Sequence, residues 1–269
     1  MYNFIDGDYF ESQADFSFGD MYSTNCTDPN YENLSIIFSQ HDEPKIFIET
    51  HRLGVLFREL VNFQNRNCKI ILHNSDATFG SELLYNIPNN VRKIWCQNYN
   101  FTETSRIISL PIGLERIRWF PEQKKQELLL QKVHEPIMRD NLIYMNFNIS
   151  TSPYRKQVYD KLINRPFINT EMVGNGGDYN NYLNNLKKHK FVVSPPGNGI
   201  DCHRNWEALY LGCIPVIINT HFSQNVYSKN KVLIVNDFDE LTEELLEKKY
   251  HEIQGRNNSR IFKDDWILN

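Results

Sequence analysis

One stretch of this chain leaves little freedom in how it folds: Phe191-Val-Val-Ser-Pro-Pro-Gly-Asn-Gly-Ile-Asp-Cys-His-Arg-Asn-Trp-Glu-Ala-Leu-Tyr-Leu-Gly-Cys-Ile-Pro215. The apolar run over 191–193 reads as a buried strand. Gly197 and Gly199 follow in a loop where backbone amides can come close to a ligand. Asp201 suits an N-cap, which predicts a helix over 202–211. Gly212 suits the position just past that helix, and Pro215 lies beyond it. A strand, a glycine loop and a helix in this order aim free N–H groups and a positive helix end at one point, which suits a diphosphate. The loop alone supports no more than anion binding. Gly-Asn-Gly occurs in many turns and is neither a Walker loop nor a dinucleotide fingerprint.

The helix adds chemistry. Trp206, Leu209, Tyr210 and Cys213 share one face, suited to packing on a sheet. Arg204 and Glu207 are three residues apart and His203 and Glu207 four apart, so all three are neighbours on the helix surface. A carboxylate among aromatics needs partners. A ribose diol would supply two donors to Glu207 while Arg204 held phosphate oxygens. Alternatively, Arg204 and Glu207 pair with each other and only fix the helix start.

The rest of the chain repeats the alternation of short apolar runs with helical periodicity. Strands are expected at 45–49, 69–72, 93–96 and 107–110, with helices at 53–63 and 81–86. The charged stretch 121–140 reads as a connecting helix or linker. Strands at 142–147, 191–193, 214–218 and 232–235 follow, with helices at 153–163, 179–188, 202–211 and 240–248. This is an α/β pattern with parallel sheets. A length of 269 residues suits two domains, each of about 130 residues. We expect one over 1–125, one over 126–250, and a segment 251–269 that docks back across their junction. A ligand then belongs in the cleft at the carboxyl ends of the strands.

Composition removes several function classes. With a net charge of −4 and no basic tract, nucleic acid is a poor partner. Residues 1–20 carry Asp6, Asp8, Glu11 and Asp15, not a basic start followed by an apolar run. No apolar stretch approaches the roughly 18 residues of a membrane span. A cytoplasmic protein with no integral membrane segment is the expectation. Five cysteines without CxxC spacing suggest reduced thiols and no structural zinc. The Asn-x-Ser/Thr matches at Asn25, Asn33, Asn100, Asn148 and Asn257 are read as unused, because the chain is rich in Asn.

Residues 194–209 resemble the donor-site signature of exostosin-like glycosyltransferases, and Leu211-Gly-Cys-Ile-Pro-Val216 extends the likeness. Tyr182-Leu183, His73-Asn74-Ser75-Asp76, Trp95-Cys96-Gln97-Asn98 and Leu110-Pro111-Ile112-Gly113-Leu114 resemble further landmarks of such proteins. The resemblance implies a GT-B fold, with two Rossmann-like domains facing across a cleft. It implies a UDP-sugar donor in the second domain and inversion at the anomeric carbon without a bound metal. The acceptor would be a glycan or glycoprotein. The chain is similar to short soluble members carried by large DNA viruses, xylosyltransferases among them, which favours UDP-xylose and a host cytoplasm.

Residue roles follow from position. The resemblance places Glu207 on the ribose, and Arg204, His203, Arg155 and the amides of Asn198 and Gly199 near the diphosphate. Ser194, Pro196, Gly197 and Asp201 complete the donor loop, and Gly174 and Asn175 could let the base lie against backbone. No Asp-x-Asp pair flanks a suitable strand: Asp237, Asp239, Asp264 and Asp265 read as solvated surface. Arg155, Arg204 and the helix amides would neutralise the departing diphosphate. Inversion needs a base for the acceptor hydroxyl. Asp76, after a strand in the first half, is the first choice, with His73 orienting or replacing it. Glu49 with His51 and Arg52 is the second, and an N-cap or turn role for Asp76 stays open. Tyr9, Phe10, Phe79 and Trp119 are candidate sugar platforms or core residues. Another nucleotide-sugar enzyme, such as an epimerase or hydrolase, and a non-catalytic nucleotide- or glycan-binding module are the alternatives.

Overall fold

The computed structural model describes residues 3–21, 26–119, 121–171 and 177–269. Its strands form two five-stranded sheets, every pairing parallel. The first runs β1 (Phe16–Ser17), β2 (Lys45–Ile48), β3 (Cys68–Leu72), β4 (Val91–Gln97), β5 (Ile107–Leu110), neighbours in that order. The second contains β6 (Asn141–Met145), β7 (Ile168–Thr170), β8 (His189–Val193), β9 (Ile214–Ile218) and β10 (Leu233–Val235), in the spatial order β7-β6-β8-β9-β10. Parallel strands covered on both faces read as near-continuous apolar runs, and Ile70 between Ile46 and Ile94 shows why.

In the first sheet each strand is added on the same side of the last. Right-handed crossovers then send every connecting helix to one face. The connecting helices are α2 (Tyr31–Gln40), α3 (Leu53–Leu60) and α4 (Ser81–Tyr85), while α1 (Gly7–Ser12) precedes β1. Leu34, Ile37 and Phe38 of α2 and Leu53, Leu56 and Leu60 of α3 pack there on Ile46, Ile48, Ile70, Leu72 and Ile94. The opposite face, with Phe47, Ile71, Trp95 and Leu110, has no crossover helix to cover it. Phe10 of α1 and Ile261, Trp266 and Leu268 near the C-terminus cover it instead. The Gln13 amide donates to Trp266 O at 3.0 Å and accepts from Leu268 N at 2.8 Å, and Tyr9 OH donates to Lys263 O at 2.6 Å.

The second half holds α5 (Lys125–His134), which joins the halves, then α6 (Pro153–Leu162), α7 (Tyr179–Lys188), α8 (His203–Tyr210), α9 (His221–Tyr227) and α10 (Glu243–Gln254). Val158 of α6 and Leu246 and Ile253 of α10 cover one face of its sheet. Leu183 and Leu186 of α7 and Trp206 and Leu209 of α8 cover the other, in one cluster continuous with Phe47, Ile71 and Trp95 of the first sheet. The two sheets thus share a core. Among the described residues no helix is long and apolar enough to cross a membrane.

Most boundaries lie within a few residues of expectation. The helix expected at 240–248 is instead a 3-10 turn at Phe238–Glu240 followed by α10, whose cap is Thr242 accepting from Leu245 N. Five elements were unforeseen: the short α1, β1, β7 and α9, and the ten-residue α2. The expected cap Asp201 needs correction. Helix α8 starts at His203 with Cys202 as N-cap and no side-chain cap bond. The Asp201 carboxylate is buried and takes donors from both halves. Cys202 N (2.8 Å), Asn205 Nδ2 (3.0 Å) and Trp206 Nε1 (3.0 Å) belong to the second half, as does Tyr227 OH. Ile112 N, at 2.8 Å, belongs to the first. A buried carboxylate needs several donors, and here they fasten the halves together.

Candidate functional site

The second sheet changes direction between β6 and β8. The chain leaves β6 toward β7 on one side and returns to β8 on the other, so the connections after these two strands part and leave a crevice at their carboxyl ends. A cavity of about 670 Å³ opens there. After β6 come Phe147 and the Ser152 cap of α6, which carries Arg155. After β8 come the glycine loop and α8, which carries Arg204.

Arg155 is only 8 % exposed. Its Nε donates to Pro196 O at 3.1 Å, Nη1 reaches Thr151 Oγ1 at 3.4 Å and Nη2 reaches Cys202 Sγ at 3.5 Å. Both guanidinium carbons, of Arg155 and Arg204, stand 5.9 Å from the Phe147 ring centre. Arg204 Nε is buried with no partner. Among the described residues no carboxylate lies within ion-pair distance of either arginine. Burial pushes the Arg155 guanidinium below its ordinary value, chiefly by desolvation. Two cations at a cavity wall without a counterion favour an anion between them. Gly197 leaves room for this placement, since a Cβ there would lie 2.8 Å from Arg155 Nη2 and the guanidinium would have to shift.

The loop amides are only partly free. Gly197 N donates to Gly199 O at 3.1 Å. Ile200 N (3.0 Å) and Asp201 N (3.3 Å) donate to Oδ1 of Asn98, which follows β4 in the first half. Asn98 Nδ2 donates in turn to Ser75 O at 2.9 Å. A Cβ on Gly199 would lie 2.8 Å from Asn98 Nδ2, so this glycine serves the approach of the other half. The amides of Asn198, Gly199, His203 and Arg204 remain for a ligand, while Asn205 N donates to Cys202 O at 3.0 Å. Ser194 and Pro196, expected in the donor loop, do not line the cavity. Ser194 N donates to Val216 O at 2.9 Å and its hydroxyl is buried, and Pro196 acts only through its carbonyl on Arg155.

Glu207 lines the cavity and is not paired with Arg204. Tyr179 OH donates to its Oε1 at 2.9 Å and Tyr182 OH to its Oε2 at 2.8 Å. Burial, reinforced by the Glu207 charge, pushes both phenols well up, which keeps them protonated donors. A carboxylate has about four acceptor positions, so two remain. His203 Nδ1 meets Gly113 O of the first half at 2.8 Å. Gly174 and Asn175 lie outside the described residues.

A second cavity, about 700 Å³, opens on the first half and shares Asp76, Ile112, Asn198 and His203 with the first. Asp76 is exposed in the loop after β3, at the boundary of the two spaces. His73 does not contact it as expected. Its ring is buried, with Nε2 at 2.9 Å from Pro111 O and Nδ1 at 2.8 Å from the Asn74 side chain, and desolvation pulls it down to about 4. Glu49 is 1 % exposed and lines this second cavity, and neither of its oxygens takes a hydrogen bond of good geometry. His51 Nε2 and Arg52 Nη1 stand 3.5 and 3.8 Å away. Burial pushes the carboxyl above its ordinary value, against the lowering effect of the Met21 amide and the His51 charge. Of the aromatic candidates, Phe10 and Phe79 are core and the Tyr9 hydroxyl is tied to Lys263 O. Trp119 lines the cavity.

Asn98, Phe147, Tyr179 and Tyr182 were not foreseen as site residues. The tyrosine pair had a local signal, three residues apart on one helix face. Asn98 stood out only as part of the landmark Trp95-Cys96-Gln97-Asn98, without a role, because its partners Ile200 and Asp201 are about a hundred residues away. Among the described residues no group of three or more His, Cys, Asp or Glu could hold a metal ion. No protein-family model matches this chain, and no curated protein matches it.

Proposed function

We propose that this protein is an inverting glycosyltransferase of GT-B arrangement. It would move a sugar, with xylose favoured, from a UDP-sugar to a hydroxyl of a glycan acceptor. The observation that carries the reading is the pair Arg155 and Arg204. They flank the crevice where the second sheet reverses, without a carboxylate partner among the described residues, beside the start of α8. A nucleoside diphosphate matches that seat in charge. Glu207, with two acceptor positions unspent, suits the ribose hydroxyls. The adjoining cavity gives a second substrate access to the same point, which a single-substrate hydrolase or epimerase does not need.

In this reading Arg155, Arg204 and the amides at 198–199 and 203–204 take up the charge that develops as the diphosphate departs. Asp76, on the boundary of both cavities, takes the acceptor proton as the hydroxyl attacks from the opposite face of the sugar. A cytoplasmic setting belongs to the same reading. The test is a panel of UDP- and GDP-sugars scored by thermal stabilisation and by slow donor hydrolysis. UDP-sugars should raise Tm. No stabilisation by any nucleotide sugar would reject the donor site.

A further inference from the structure

Four successive residues after β5 are each pinned by a different part of the chain. Ile112 N donates to Asp201 Oδ2 at 2.8 Å, and Gly113 O meets His203 Nδ1 at 2.8 Å. Leu114 N donates to Ile5 O at 2.8 Å, and Glu115 O accepts from Gln126 Nε2 at 3.1 Å. Gln126 is itself buried, with the same amide nitrogen on Asp6 Oδ2 at 2.8 Å. Gly113 has φ +69, and a Cβ on it would lie 2.4 Å from Ile5 O, so glycine is needed for this backbone path. The segment runs along the rim where the two cavities meet, and Ile112 lines both. The side chain that this pinning holds in place is Glu115. It lines the second cavity, and Lys125, the first residue of α5, lines the first. Lys125 Nζ donates to Glu115 Oε1 at 2.9 Å and to Oε2 at 2.8 Å, so one ion pair spans the boundary. The Glu115 side chain keeps 20 % exposure and that of Lys125 27 %, against 1 % for Glu49. Lys125 Nζ also stands 5.5 Å from the centre of the Tyr179 ring, whose hydroxyl holds Glu207. A carboxylate has about four acceptor positions, and the lysine occupies two of those on Glu115. The charges balance, so the pair suits neutral hydroxyls rather than an ion.

We propose that Glu115, steadied by Lys125, accepts hydroxyls of the sugar being transferred and helps to decide which sugar the donor carries. This rests on the transferase reading. There the diphosphate lies at Arg155 and Arg204 while the acceptor arrives through the second cavity. The transferred sugar then sits where the two spaces join, beside Ile112 and His203. Glu115 follows Ile112 by three residues on the pinned segment. Hydroxyls that donate to a carboxylate make strong, directional bonds, and a site built for such a bond rejects a sugar that cannot make it. A pair that only fastened α5 to the loop would affect the nucleotide and the nucleotide sugar alike.

The full chain is titrated by calorimetry with UDP, UDP-xylose, UDP-glucose and UDP-galactose, so that UDP serves as the reference without a sugar. Glu115→Gln keeps the shape and removes the charge. It should weaken the UDP-sugar that the native chain binds most tightly about tenfold and narrow the spread among the sugars, while UDP alone binds as before. Lys125→Met should act in the same direction, and it keeps the test open if Glu115→Gln does not fold. Lys125→Arg, which keeps the ion pair, should restore much of the preference. Equal weakening of UDP and its sugars, or a sugar preference untouched by both Glu115→Gln and Lys125→Met, would overturn the assignment. The two readings fail in different ways. A native chain that binds neither UDP nor a UDP-sugar rejects the donor site and this assignment with it. Native UDP binding with an unaltered sugar preference in the variants rejects this assignment alone.

Discussion

The two sheets use the same parallel strands and right-handed crossovers, yet their consequences differ. The first adds each strand on one side, so its helices crowd one face and its other face has to be closed by α1 and residues 261–268. The second starts in the middle and grows both ways, so helices cover both faces and a crevice opens where the direction reverses. The cavity with Arg155 and Arg204 lies at that reversal. The first sheet has no reversal, and its cavity is walled largely by residues of loops that follow strands, among them Glu49, Asp76 and Glu115, with Arg116 held by Asp8, Glu11 and Asp20. In this molecule the seat between two arginines comes from topology, whereas the other cavity is made by individual loop residues. The second kind of site is harder to foresee.

The sharpest way to break this division of labour is Asp76→Asn. If the first half supplies the base and the second half the nucleotide seat, transfer falls by about 10²- to 10⁴-fold while UDP still raises Tm. Full transfer by the variant rejects Asp76 as base. Next comes a pH test of the first half. The His73 ring is held down at about 4 against an ordinary 6.5. The unfolded chain then binds a proton that the folded chain refuses between those values. The stability it contributes is complete above about pH 6.5 and is lost as pH falls toward 4. The loss is about 3 kcal/mol at most. Thermal melts across that window should show the fall, and His73→Gln should flatten that part of it. An unchanged slope in the variant assigns the acid sensitivity elsewhere.

Arg204→Ala should weaken UDP about tenfold to a hundredfold by calorimetry. Unchanged UDP binding would reject Arg204 as a phosphate contact. The smallest effect concerns the join itself. Asn98 has φ 58, which glycine adopts freely, so Asn98→Gly removes the side chain without backbone strain. Its loss leaves the amides of Ile200 and Asp201 and the carbonyl of Ser75 unpaired and should cost about 1–2 kcal/mol in denaturant melts. Transfer should fall more than UDP binding, because Asn98 ties the donor loop to the segment next to Asp76. Equal losses would reduce it to a purely structural residue.

Much of the second half was legible in advance. The apolar run 191–193, the glycine loop, Gly212 at φ +71 after α8 and the strand 214–218 are local features, each decided within a few residues. Most of the elements that escaped notice are short. β7 is three residues long and α9 seven, so neither carries enough periods to stand out. Helix α2 did carry the signal, with Asn30 as cap and Leu34, Ile37 and Phe38 in helical spacing. Asp201 was misjudged as a cap because an aspartate before a helix looks the same whether its donors are local or come from the other half of the chain.

The sequence by itself determined the alternation of strands and helices, the parallel α/β class and the loop that meets a helix start, because hydrophobic period, glycine and caps act over a few residues. It also brought Arg204 and Glu207 onto one helix. Only the tertiary structure decided that these two do not pair, that Tyr179 and Tyr182 hold Glu207, that Arg155 and Arg204 both stand beside Phe147, and that Glu49 is buried between His51 and Arg52. Each of these depends on which strands become neighbours. That choice is made by packing the whole core at once, and no local stretch of residues encodes it.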